Sequence, residues 1–146
     1  MSISFVDFAA ETQDRIDTTD SILKYTHCLC EALKYNYIES SIKKHKRYIE
    51  RNDNVEYHIQ CIDDLHADKL TVNFMVESGR KYHKIVFINF TGNKSAHAFV
   101  NQKTGEIHKS KNWSSPEKDS RYNLLDDDQR EWLYQNADYS GGYLSK

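Results

Sequence analysis

Apolar side chains in this chain recur first at steps of three and four and later at steps of two, which separates a helical front from a sheet-forming remainder. Ile22, Tyr25, Leu29 and Leu33 follow Thr18-Thr19-Asp20-Ser21, a run able to cap a helix start, and predict a helix over about 19–35. Ahead of it, Phe5, Val6, Phe8 and Ala9 suit a short extra helix or an arm. From Tyr37 to Arg51, Ile38, Ile42 and Ile49, with His45 on the same stripe, keep helical spacing and predict a second helix. Its outer face would carry Lys43, Lys44, Lys46 and Arg47, a solvated face in the ordinary case and a nucleic-acid contact in the alternative. Asn52-Asp53-Asn54, three residues that prefer turns, ends it.

Beyond that turn the period shortens. Val55 to Cys61 alternates as a half-buried strand does, although Ile59, Ile62 and Leu65 also suit a helix; the strand is the reading taken, with a turn at Asp63-Asp64. Leu70, Val72, Phe74 and Val76 alternate with Thr71, Asn73, Met75 and Glu77, a strong period-two signal. Ser78-Gly79 turns the chain, and Lys81–Phe90 returns with apolar residues on both faces: Val86, Ile88 and Phe90 on one, His83, Ile85 and Phe87 on the other. A strand covered on both faces is expected at the centre of a sheet. Thr91-Gly92-Asn93 leads into a strand over 95–101, and Lys103-Thr104-Gly105 forms a hairpin loop before Glu106–Lys109. The register of that hairpin is open at this level, which leaves His108 beside His97 or behind it. Trp113-Ser114-Ser115-Pro116 should end the sheet, since proline cannot donate to a ladder. Leu124–Gln135 predicts a last helix, with Asp126, Asp127 and Asp128 at its start and Trp132 and Leu133 packing it down. Residues 138–144, rich in glycine and aromatics, suit an ordered turn or edge segment.

These elements amount to one α+β domain over 1–146: residues 1–65 a mainly helical support, residues 66–146 an antiparallel meander of four or five strands with a C-terminal helix. The 38% hydrophobic and 29% charged content and the single proline fit a globular chain. No stretch has the length and apolarity of a membrane span, and the acidic N-terminal region is unlike a signal peptide, so a cytoplasmic protein without membrane contact is expected. Cys28, Cys30 and Cys61 lack zinc-site spacing and read as reduced, buried thiols, so neither metal nor cofactor is expected.

Charge changes the picture most. The net charge of −2 conceals five acids against Arg15 in residues 1–20, net −4, and eight bases against Glu106 and Glu117 in residues 80–118, net +6. That separation points to an anionic partner for the central region. Bases and aromatics interleave there, and the candidate ligand-binding residues are Lys81, Tyr82, Lys84, His97, Phe99, Lys103, Lys109, Trp113 and Arg121, with His97 alternating onto the face of Phe99. Cations of this kind meet phosphates while aromatic rings stack on bases. The plainer account makes Phe99 and Trp113 anchors of the sheet and the lysines edge charges that block aggregation. Walker A, dinucleotide-binding, HExxH and nucleophile-elbow motifs are absent. His97 and His108, with Lys81 or Arg121, could serve metal-independent phosphodiester cleavage only if the two imidazoles converge. A non-enzymatic binder is the leading expectation.

The combination Gly79-x-Lys81-Tyr82-x-Lys84-Ile85-Val86, Ser95-x-His97-x-Phe99-Val100-x-x-Lys103-Thr104-Gly105-Glu106-Ile107, Lys109 and Trp113-x-x-Pro116-x-Lys118-x-x-Arg121-Tyr122-Asn123 resembles a group of small, mostly uncharacterised tailed-bacteriophage proteins. It spans about residues 77–123 and departs from the group's pattern at His108 and at Ser110-Lys111. The resemblance implies origin more than activity, a phage accessory protein acting in the host bacterial cytoplasm; binding of a nucleic acid or nucleotide is what the basic, aromatic sheet predicts, with a modulator of a host protein as the alternative. It carries over no catalytic residues.

Overall fold

The computed structural model describes residues 4–67, 69 and 72–145. It has an α+β fold, with two N-terminal helices, a five-stranded antiparallel sheet and a C-terminal helix. Helix α1 runs unbroken over Phe5–Glu50, so the two helices expected over 19–35 and 37–51 are one. No glycine or proline interrupts this span, and at 1.5 Å per residue it is about 70 Å long. Its cap is Ser4, whose hydroxyl accepts from the Asp7 N–H at 3.2 Å. Thr19, expected near the start, lies inside the helix, where its hydroxyl donates to the Arg15 carbonyl at 2.9 Å.

The second helix is α2, Val55–His66, in place of the strand expected over 55–61 and the turn at Asp63-Asp64. Asn52 and Asn54, with φ of 56° and 47°, reverse the chain in the left-handed region that asparagine tolerates. The reversal lays α2 antiparallel on the end of α1, where His58 is buried, stacked on Tyr48 at 4.6 Å and hydrogen-bonded to His45 at 2.7 Å. Packing against α1 selects a helix whose inner face is His58, Ile62 and Leu65 over the local alternation, and Ile59, 45% exposed, lies outside that face.

The sheet is a meander in chain order: β1 Asn73–Ser78, β2 Tyr82–Ile88, β3 Lys94–Asn101, β4 Glu106–Ser110 and β5 Pro116–Asn123. Leu70 and Thr71, expected to open β1, lie outside the described residues. β2 is interior, but the middle place belongs to β3. β2 stops at Ile88, and Phe90 sits 75% exposed in the following turn, not on the sheet. Pro116 opens a strand where it was expected to end the sheet. As the first residue of an edge strand it has no ladder bond to donate, and PEKDSRYN shows no apolar alternation because its middle faces solvent.

One face of the sheet packs on α1. Ile22, Leu29, Cys30 and Leu33 meet Phe74, Ile85, Ala98, Val100 and Ile107 in a core that also takes Leu124, Leu133, Tyr143 and Leu144. α3, Asp127–Asn136, closes one side. Trp132, itself 39% exposed, stacks on Tyr122 at 4.8 Å, and Tyr134 donates to the Tyr25 carbonyl at 3.0 Å. The last residues form a 3-10 turn, Gly142–Leu144, that buries Tyr143 and Leu144. Of the three free thiols only Cys30 is buried, which pushes its pKa up to about 12; Cys61 is half-buried and Cys28 exposed, against the expectation for all three.

Candidate functional site

The other face of the sheet carries the candidate site. Register places Lys84 opposite Phe99, and Phe99 opposite His108, so these three side chains share that face. Tyr82, two residues before Lys84, meets Phe99 and His108 edge-on, each at 5.9 Å. His108 donates from Nδ1 to the Glu117 carbonyl at 3.0 Å, which ties this cluster to the edge strand. Trp113, in the loop before β5, closes over the Lys84 ammonium at 3.7 Å from its ring centroid. The loop holds its shape through Asn112, whose side-chain oxygen accepts from the Ser114 and Ser115 N–H groups, each at 2.9 Å.

Beside this cluster lies a pocket of about 310 Å³ lined by Glu77, Arg80, Lys81, Tyr82, Lys84 and Phe99, with Ser78, Gly79 and Ser114 completing it. Three cations face one acid, and Glu77 is itself paired with Lys94 at 3.7 Å. An adjoining cleft of about 320 Å³ shares Arg80 and Lys81 and adds Lys103 from the β3–β4 turn. Gln102 fastens the two turns together, since its amide donates to the carbonyls of Gly79 at 2.7 Å and Tyr82 at 3.1 Å. The basic end of the sheet is thus a fixed frame of two adjacent hairpins, and its positive potential suits an anion.

Of the nine residues singled out in the sequence, Lys81, Tyr82, Lys84, Phe99 and Trp113 come together, and Lys103 borders them. Arg121 is engaged elsewhere: its guanidinium donates to Glu117 at 2.8 Å and is largely covered, with Nε buried and lacking a hydrogen-bond partner. His97 and Lys109 are on the opposite face. Ile85 pairs with Ala98 but Val86 pairs with Ala96, so His97 is the extra residue of a β-bulge. The bulge breaks the alternation that would have put it beside Phe99 and turns it toward the core side. There His97 meets Phe74 edge-on at 5.5 Å and hydrogen-bonds the Tyr143 hydroxyl at 2.8 Å. Lys109, opposite Ala98, reaches the Ser145 hydroxyl at 3.1 Å.

The bulge also separates His97 from His108, so the paired acid and base that phosphodiester cleavage needs are not assembled. Burial drives the His97 pKa down to about 4, only partly opposed by Asp138, and keeps the ring neutral near pH 7. The Tyr143 hydroxyl is pushed up, first by burial and then by the neighbouring Cys30 and Asp138.

Arg80 is the site residue that sequence reasoning passed over. Its signal was its place directly after the Ser78-Gly79 turn, where a side chain projects from the hairpin end next to Lys81. Among the described residues, no group of three or more histidine, cysteine or acidic side chains is placed to hold a metal ion, and no helix is long and apolar enough to cross a membrane. No curated protein and no solved structure gives a match to the chain. Residues 5–146 match a family of unknown function, DUF7717, and by that match the chain belongs to it.

Proposed function

We propose that the protein is a non-enzymatic binder of a phosphate-bearing ligand, a nucleic acid or nucleotide, at the basic end of its sheet. The observation that carries this reading is the 310 Å³ pocket in which Arg80, Lys81 and Lys84 surround the rings of Tyr82 and Phe99. Arg80 and Lys81 supply the phosphate contacts, since both are exposed at the mouth. Trp113, 43% exposed, offers an aromatic surface for a base next to them. Lys84 is held by Trp113 and sets the potential of the floor more than it reaches outward. The resemblance to tailed-phage proteins supports placing this role in the cytoplasm of an infected bacterium.

Equilibrium titration of labelled single-stranded RNA, single-stranded DNA and nucleotides tests the reading. Arg80→Ala with Lys81→Ala should weaken binding about tenfold or more, because it removes the charge-assisted hydrogen bonds that these two side chains make to phosphate. Absence of binding to every one of these ligands would overturn it.

A second reading is a modulator of a host protein. The N-terminal part of α1 favours it, with Phe5, Val6, Phe8 and Ile16 all about half exposed or more among five acids. A stoichiometric protein recovered from nuclease-treated host lysate, together with no nucleic-acid affinity, would put this reading first.

A further inference from the structure

Helix α1 is far longer than the body it supports. The core takes Ile22, Leu29, Cys30 and Leu33 from its middle, and α2 covers one side of its end. Among the described residues, nothing covers 4–20 in this way. Among the described residues, every side-chain hydrogen bond there stays within the arm: Ser4 with Asp7, Thr12 with the Phe8 carbonyl and Arg15, Gln13 with Asp17, and Thr19 with the Arg15 carbonyl. Phe5 is 82% exposed, Val6 74%, Phe8 52% and Ile16 49%. Packing of an apolar face, not propensity, supplies most helical stability in water. An arm that exposes two phenylalanines is a surface built to be covered.

The charges along the same helix say what covers it. Residues 4–20 hold Asp7, Glu11, Asp14, Asp17 and Asp20 against Arg15, net −4. Residues 43–51 hold Lys43, Lys44, Lys46, Arg47 and Arg51 against Glu50, net +4, and all of these charged side chains are exposed. The acidic, apolar end and the basic end are equal and opposite. Two parallel copies would set like against like. Two antiparallel copies put each acidic arm against the other's basic end, and a two-fold axis satisfies both contacts at once.

We propose that the partner of the arm is a second copy of this chain, the two α1 helices lying antiparallel, so that each acidic arm covers the basic end of its partner. The sheet ends that bear the phosphate-ligand site take no part in this pairing.

Sedimentation equilibrium of the full chain, with charge-reversal variants, tests the pairing. The parent chain is a dimer that dissociates as salt is raised. One variant carries Asp7→Lys, Glu11→Lys and Asp14→Lys, and another carries Lys43→Glu, Lys44→Glu and Arg47→Glu. Each alone is a folded monomer by circular dichroism, because both ends of its helix then bear one sign. Mixed in equal amounts, the two restore the dimer mass. A parent chain that stays monomeric at high concentration overturns the proposal, as does a dimer that survives either reversal. A mixture that fails to re-form the dimer, with both variants folded, overturns it equally. Because these substitutions lie outside the sheet pocket, failure here leaves the ligand titration of Arg80 and Lys81 as a separate result.

Discussion

The Lys84 ammonium lies 3.7 Å from the centroid of the Trp113 ring, with the Phe99 ring 5.9 Å away. This contact joins an interior strand to the loop ahead of the edge strand across the open face of the sheet, and it gives Trp113 a fixed position beside the basic pocket. A lysine held over an aromatic face gains about 0.5–2 kcal/mol, enough to order a loop but not to bury it.

Trp113→Ala should therefore weaken nucleic-acid binding about five- to tenfold, in line with the loss of roughly 1–1.4 kcal/mol of stacking, while thermal stability changes little. In a Trp132→Phe background, added ligand should shift the emission of Trp113. Unchanged affinity together with unchanged emission would remove Trp113 from the site.

The half-buried His97 makes stability depend on pH. Its folded-state pKa of about 4 lies below the ordinary 6.5, so the unfolded chain takes up the proton first. The contribution is whole above about 6.5 and declines as pH falls toward 4, by on the order of 3 kcal/mol. His83 and His45, also lowered first by burial, act in the same direction. Urea midpoints at pH 7.5 and pH 5 should differ less for His97→Gln, which keeps a hydrogen-bonding side chain but does not titrate, than for the parent. An equal difference in both would contradict the assignment.

Gly105 sets the β3–β4 turn with a φ of 78°, and a Cβ there would come within 2.9 Å of both Asn123 Oδ1 and Leu125 Cγ. Gly105→Ala should cost about 1–3 kcal/mol. Thermal denaturation would register this as a lowered Tm, while ligand affinity per folded molecule falls only as far as Lys103 is displaced.

Much of the sheet was legible because Phe74, Val76, Ile85 and Phe87, which share the core face, alternate with residues of the open face, and a strand's period reports that directly. What failed to show has physical reasons. The unity of α1 was hidden because Thr18-Thr19-Asp20-Ser21 has cap composition, yet a helix already nucleated at Ser4 runs through it and satisfies Thr19 by back-bonding. α2 was misread because a short run of alternation cannot compete with a partner helix that offers Tyr48 and His45 to His58. β5 gave no signal, since an edge strand with solvent on its middle residues needs no apolar period. Half of the candidate site was readable, as Lys81, Tyr82, Lys84 and Phe99 follow simple alternation and the shared register. His97 was not, because one extra residue in β3 reverses its face and leaves no local trace in the sequence.

The central claim is that the sheet end of Arg80, Lys81 and Lys84 binds phosphates, and the salt dependence of affinity for a single-stranded oligonucleotide tests it most directly. The logarithm of the association constant should fall linearly with the logarithm of salt concentration, with a slope of about −1.4 for the two phosphate contacts of Arg80 and Lys81, and Arg80→Ala with Lys81→Ala should flatten most of it. A flat plot, or a slope that these two substitutions leave unchanged, would contradict the claim.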